Sequence, residues 1–271
     1  DMKRMLMSIL YVATGVYIVI CASLYFLQER LLFLPEVLRP DFRYSFPMRF
    51  EEVSLPVRGA TIHALRFKPE QPRGAILYLH GNAGSLRSWG AVAADFVRQG
   101  YEVFIPDYRG FGKSTGRITG ERMLHEDAEA AYAYLRQHYP EERIVLYGRS
   151  LGTGIAVHLA SSRQPKMVIL ETPYFSMREL ATRQFPFVPA FLLKYPLRTD
   201  RWISDVTCPI YLIHGTEDEF IPYDSSVRLL PLIKSKHELV TIQGGGHNNL
   251  AQFAEYHAAL ARIMEAEQPA P

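Results

Sequence analysis

Gly148-Arg149-Ser150-Leu151-Gly152 directly follows the apolar run Ile144-Val145-Leu146-Tyr147 and directly precedes a helix-like stretch from Thr153 to Ala160. A strand that turns at once into a helix forces its corner residue into a strained backbone conformation, and small flanking residues let the two backbones pass closely. The corner hydroxyl, that of Ser150, then projects alone. This is the pattern of a nucleophile elbow, and it makes acyl transfer the first chemistry to weigh against the rest of the chain.

A serine hydroxyl is a weak nucleophile, so the pattern demands a base, an acid that orients the base, and donors for an oxyanion. The base candidate is His247, in Gly244-Gly245-Gly246-His247-Asn248-Asn249, between a strand-like run from Glu238 to Ile242 and a helical pattern from Leu250. A histidine on such a loop is held near a sheet edge yet is free to reach a serine. His63, His125, His138, His158, His237 and His257 fall on expected strand faces or polar helix faces, while His80 and His214 each precede a glycine at a strand end. The acid candidate is Asp218, after the β-rich Ile210 to Ile213. Its neighbours Glu217 and Glu219 read as solvated loop charges, because the shorter aspartate fixes an imidazole with less conformational freedom. The oxyanion donors are expected to be the backbone N–H of Leu151 and that of Asn82, in the small-residue loop His80-Gly81-Asn82-Ala83-Gly84.

These segments, together with Asp107-Tyr108-Arg109-Gly110-Phe111-Gly112-Lys113-Ser114, resemble the α/β-hydrolase superfamily over roughly residues 50 to 265. More narrowly, they resemble its membrane-anchored α/β-hydrolase domain-containing branch, which includes lipid esterases and depalmitoylases. The resemblance implies a cofactor-free serine hydrolase, with residues 107–114 as a structural loop beside the site. The order serine, acid, histidine is that of the superfamily.

The chain of 271 residues suits one large α/β domain plus an appendage. The appendage is the amino-terminal segment, uncharged from Met5 to Gln28. As a helix it would run about 35 Å, against a hydrocarbon core of roughly 30 Å, so residues 1–28 are expected to form a transmembrane anchor. The run exceeds a signal-peptide core and lacks an A-x-A-like exit, and Ile20 before Cys21 does not suit a lipoprotein signal. Lys3 and Arg4 favour a cytoplasmic amino terminus and an exterior or periplasmic catalytic domain, although Arg30, Arg39 and Arg43 oppose that bias. Residues 29–49 form an apolar-aromatic linker that suits either the bilayer interface or the domain's own core. Cys21 and Cys208 are not expected to pair. A net charge of +2 and a single short basic run, Lys3-Arg4, argue against nucleic acid as a partner.

From residue 50 onward, strands and helices alternate after an antiparallel pair turned at Arg58-Gly59. The expected fold is a mostly parallel central sheet with helices on both faces, a helix over 85–98, another over 249–265, and a frayed tail over 265–271. After the sixth strand, residues 172–208 form a small lid or cap within a catalytic domain spanning 50–271. Rich in aromatic residues and broken by Pro186, Pro189 and Pro196, it is expected to supply an apolar acyl pocket through Tyr174, Phe175, Phe187 and Phe191, or else to pack on the sheet. Membrane lipids and a hydrophobic acyl substrate are the expected partners. The rival readings are a serine peptidase of prolyl-oligopeptidase type and a non-catalytic membrane-tethered binding protein.

Overall fold

In the computed structural model, which describes residues 2–266, an eight-stranded sheet organises the chain. The elements run α1 (Met2–Leu32), β1 (Leu34–Pro35), β2 (Phe50–Val57), β3 (Ala60–Phe67), β4 (Gly74–Leu79), β5 (Ala83–Gly84), α2 (Leu86–Trp89), α3 (Ala93–Val97) and β6 (Tyr101–Pro106). They continue with α4 (Glu121–Arg136), β7 (Ile144–Arg149), α5 (Leu151–Ala160), β8 (Met167–Glu171), α6 (Met177–Gln184) and α7 (Thr199–Trp202). The chain closes through β9 (Ile210–Gly215), α8 (Asp224–Leu229), β10 (His237–Ile242) and α9 (Ala254–Ala266). Residues 267–271, most of the tail expected to fray, lie outside the described residues.

The sheet order is β10-β9-β8-β7-β4-β6-β3-β2, parallel from β10 to β6, with β3 and β2 added antiparallel at one edge. Strands β4, β6, β8 and β9 are buried along their whole length, as parallel strands covered on both faces must be. Alternate residues feed two cores: Ala75, Leu77 and Leu79 face one, Ile76 and Tyr78 the other. The strand order reverses around β4, which lies between β6 and β7. A crevice therefore opens at the carboxyl ends of β4 and β7, where Asn82 and Ser150 follow their strands.

Helix α1 runs on through Leu32, and of the two readings of the linker the structure shows the second, packing on the domain's core, while two other expectations are corrected. Phe33, Leu38 and Tyr44 are buried, and Tyr44 stacks on His63 with ring centroids 5.7 Å apart. The helix expected over 85–98 is broken into α2, a 3₁₀ turn at Gly90–Val92, and α3. At that turn a side chain on Gly90 would lie 2.3 Å from the Phe46 ring, so the linker aromatic occupies the space that a larger residue would fill. The helix expected from 249 begins instead with a 3₁₀ turn at Leu250–Gln252, and α9 starts at Ala254.

The segment between β8 and β9 is split in its packing. Helix α6 opens on an N-cap, in which the Ser176 hydroxyl accepts from the Glu179 N–H at 3.1 Å. The following loop leans against α1. The buried Gln28 amide donates to the Leu192 carbonyl and accepts from the Lys194 N–H, and Glu29 accepts from Lys194 Nζ and the Tyr195 hydroxyl. Further on, Trp202 of α7 meets the stacked rings of His125 on α4 and His158 on α5, whose centroids are 3.6 Å apart.

Burial against this cluster, with a further contribution from His125, pushes the His158 imidazole down to about 4, while Glu121 pulls the other way. A base with a lowered folded-state pKa stabilises the fold above its unfolded value of 6.5, and loses that contribution as pH falls toward 4. Thermal melts across this window should therefore show Tm falling with acid, and His158→Phe should flatten that fall. An unaltered slope in the variant would remove the cluster from the account.

Candidate active site

Ser150 stands between β7 and α5 with φ 50° and ψ −115°, one of three non-glycine residues with positive φ among the described residues. Its N–H donates to the Glu171 carbonyl at 3.0 Å, and its own carbonyl accepts from the Thr153 N–H at 2.9 Å and the Thr153 hydroxyl at 2.7 Å. The strained corner is thus tied on both sides. A side chain on Gly152 would fall 1.9 Å from the Leu79 carbonyl oxygen, which is why the residue two beyond the serine must be glycine where α5 crosses β4.

His247 and Asp218 arrive from the ends of β10 and β9. The Ser150 Oγ lies 3.0 Å from His247 Nε2, and His247 Nδ1 lies 2.8 Å from Asp218 Oδ2. An ionised carboxylate only accepts, so Nδ1 carries the proton and Nε2 is left free to accept from the serine hydroxyl. Asp218 Oδ1 in turn accepts from the Phe220 and Ile221 N–H groups at 2.9 and 2.8 Å. Burial alone would raise the Asp218 carboxyl, but the hydrogen bonds from His214, His247 and Ile221 outweigh it and hold it well below the usual carboxylate range.

His214 is the residue that sequence reasoning passed over. Fully buried at the end of β9, it approaches Asp218 Oδ2 at 3.2 Å and the Ile221 carbonyl at 2.9 Å through Nε2, while Nδ1 lies 2.7 Å from Ser226 Oγ. Donation from Nε2 to the two oxygens and from the serine hydroxyl to Nδ1 satisfies every atom. The available signal was its spacing four residues before Asp218, at a strand end.

The expected donors, Leu151 and Asn82, line the same cavity as Ser150 and His247. Leu151 is the first residue of α5, so its N–H has no partner within the helix. The Asn82 loop is held from an unexpected side: its side-chain amide donates to the Leu32 carbonyl at 3.0 Å, and its carbonyl accepts from the Leu34 N–H at 2.9 Å. Strand β5 then pairs in parallel with β1. Residues 107–114 form the supporting loop, where the Tyr108 hydroxyl donates to the His80 carbonyl at 2.8 Å and Asp107 Oδ2 accepts from the Leu86 N–H.

Of the expected acyl-pocket residues, Tyr174 alone lines this cavity, and its hydroxyl donates to the Leu151 carbonyl at 3.0 Å. Phe175 sits outside it beneath the Arg228 guanidinium, 4.0 Å from the ring centroid. Phe187 and Phe191 are each 84% exposed, because their loop lies along α1 instead of over Ser150. The apolar walls come instead from Leu31, Leu32 and Leu34, from Met177 and Leu180 of α6, and from Trp89, Phe220 and Ile221. Arg149 joins the elbow to the histidine loop: Nε lies 3.1 Å from Glu171 Oε1, one terminal nitrogen donates to Asn248 Oδ1 at 3.3 Å, and the guanidinium lies over Trp89.

This arrangement can deprotonate a hydroxyl and stabilise the resulting imidazolium. Asp218→Asn keeps the shape but lets the ring adopt the wrong tautomer, so kcat for a short-chain p-nitrophenyl ester should fall by about 10⁴-fold. A loss under tenfold would detach Asp218 from the relay.

The family model described as serine aminopeptidase, S33, matches residues 70–202, a span that holds Asn82 and Ser150 and ends before Asp218. Alpha/beta hydrolase domain-containing protein 17C of Xenopus tropicalis is 34% identical over 206 residues, which cover 73% of this chain and 63% of that protein. The human protein 17B is 32% identical over 198 residues, covering 71% and 66%. The chain thus spans just under two thirds of the length of these curated relatives. Among solved structures, an esterase of Pyrococcus furiosus is similar with a TM-score of 0.71 at 18% identity, over 87% of this chain and 98% of that one. Est1E from Butyrivibrio proteoclasticus gives 0.67 at 18% identity, over 80% and 98%. At such identities the likeness shows the fold.

Proposed function

The chain belongs to the α/β-hydrolase superfamily, and from that premise we propose that it is a membrane-anchored serine hydrolase cleaving carboxylic esters or thioesters of hydrophobic acyl groups. Candidate substrates are a monoacylglycerol, a lysophospholipid or an S-acylated protein. One observation carries the reading: a continuous relay of 3.0 and 2.8 Å from a strained serine through histidine to a buried aspartate, opening into an apolar cavity.

In this mechanism Ser150 Oγ attacks the substrate carbonyl while His247 Nε2 takes its proton. Asp218 stabilises the imidazolium, and the Leu151 and Asn82 N–H groups receive the oxyanion. His247 then protonates the departing alcohol or thiol. Water, deprotonated by the same nitrogen, attacks the acyl-enzyme and releases the acid and Ser150. No cofactor enters any step.

The family model's description raises an aminopeptidase as a second reading. Such an enzyme must hold its substrate's terminal ammonium, a task for a carboxylate. Among the described residues that line the cavity, the ionisable groups are Arg149, Tyr174 and His247, with no carboxylate. The lining favours an uncharged, apolar acyl group.

The proposed anchor is the long apolar helix α1, of 31 residues, with the catalytic domain on the exterior or periplasmic side. The full chain should stay in the membrane fraction through alkaline carbonate extraction, and release would remove the anchor from the reading. The parent chain should react with a fluorophosphonate probe and hydrolyse acyl p-nitrophenyl esters, and Ser150→Ala should lose both. Undiminished labelling of that variant would overturn the nucleophile assignment and return the non-catalytic alternative to consideration.

A further inference from the structure

Three loops must agree before Ser150 can react: the elbow itself, the loop bearing His247 and the loop bearing Asn82. Arg149, the last residue of β7, directly precedes the serine, so whatever its side chain holds is held relative to the nucleophile's own backbone. Its guanidinium is largely buried and borders the cavity of Ser150. The His247 loop needs an external hold, because Gly244, Gly245 and Gly246 lead into the histidine and glycine has the most backbone freedom to lose. On that side the chain is tied to the loop after β9 and to itself. The Gly244 N–H donates to the Thr216 hydroxyl, the Glu217 N–H to the Gly245 carbonyl, and the Gly246 N–H to Asn249 Oδ1. On the other side a terminal nitrogen of Arg149 donates to Asn248 Oδ1 at 3.3 Å and lies 3.5 Å from the His247 carbonyl.

The same guanidinium lies 5.0 Å from the centroid of the Trp89 ring. That indole stacks on His80 with centroids 5.5 Å apart and donates through Nε1 to the Ala83 carbonyl at 2.7 Å, so it braces the loop of Asn82 on both sides of the asparagine. Glu171 is the fixed base of the arrangement. Its carbonyl accepts from the Ser150 N–H, its carboxylate accepts from the Tyr147 and Tyr256 hydroxyls, and Oε1 lies 3.1 Å from Arg149 Nε. A planar guanidinium can bond the carboxylate, reach the histidine loop and cover the indole at once, whereas an ammonium on a flexible stem could keep the charge pair and would lose the fork and the stack.

We propose that Arg149 is a positioning residue: a strap, footed on Glu171, that sets the His247 and Asn82 loops against Ser150. The proposal rests on the serine hydrolase reading above and adds a residue to its machinery. Arg149 acts through the two loops and not on the substrate. Without it the glycine-led loop is free to carry His247 Nε2 away from its 3.0 Å approach to Ser150 Oγ, so proton transfer slows while binding in the apolar cavity is kept.

The test measures kcat and KM separately for p-nitrophenyl butanoate, using the full chain in detergent, with folding checked by circular dichroism. Arg149→Ala should lower kcat by about 10²-fold, the cost of an ångström-scale misplacement, and leave KM within about threefold. Guanidinium chloride at tens of millimolar should restore kcat of that variant by at least about tenfold, with no such effect of sodium chloride or on the parent chain. A kcat within about threefold of the parent, a loss in the folded variant that guanidinium does not recover, or a rise in KM alone would overturn the proposal, the last by making Arg149 a substrate contact. Should Arg149→Ala misfold with Glu171 left unpaired, Arg149→Lys keeps a cation beside that carboxylate. Its kcat should fall by at least about tenfold at unchanged KM, and a parental kcat would overturn the proposal equally. A parent chain that neither hydrolyses butanoate nor reacts with a small fluorophosphonate would instead overturn the serine hydrolase reading, and the strap with it.

Discussion

The backbone of Ser150 is held where an L-residue is strained, and the rest of the site is arranged around that corner. A φ of 50° survives because both neighbours of the turn are locked. Strand β7 is clamped between β4 and β8, and α5 is buried along almost all of its length. Relaxing the corner would mean moving a helix through a packed core, which costs more than the strain of about 1–3 kcal/mol that it stores. The hydroxyl is consequently fixed before any substrate arrives, and the histidine and aspartate loops need only meet a stationary target.

They meet it by different means. Asp218 is immobilised by donors from four directions: the His214 and His247 rings on one oxygen, and the Phe220 and Ile221 N–H groups on the other. A carboxylate so surrounded stays ionised although buried, and it fixes the tautomer of His247. Beside the elbow a second buried network repeats this logic with a different acid. Glu171 accepts from the Tyr147 and Tyr256 hydroxyls and pairs with Arg149, tying β7, β8 and α9 together beside Ser150.

How much of this was legible in the sequence follows the range of the interactions involved. Ser150, Asp218 and His247 could be read because each sits where a strand-like run meets small residues, and the structure brings those three side chains together. The parallel strands were legible as unbroken apolar runs. What escaped depends on distant partners. Nothing in residues 85–98 announces that the Phe46 ring will occupy the space beside Gly90, where the helix gives way to a 3₁₀ turn. Phe187 and Phe191 have the composition of pocket residues, yet Gln28, more than 150 residues away in the chain, draws their loop onto α1 through Leu192 and Lys194. His214 looked like an ordinary strand-end residue because its role lies in a ring orientation that only the fold defines.

The same long-range tie alters the meaning of the amino-terminal helix. A passive tether would end in a flexible linker, whereas α1 ends in Leu32, whose carbonyl holds the Asn82 side chain, and continues into β1, which pairs with the loop beyond it. The loop bearing Asn82, an expected oxyanion donor, is thus braced by the end of α1 and by β1. Removing the helix would take away a hydrogen-bond partner of Asn82 and two of the leucines that wall the cavity, Leu31 and Leu32. In this architecture the end of the candidate membrane span and the walls of the cavity around Ser150 belong to one continuous segment, residues 24–36.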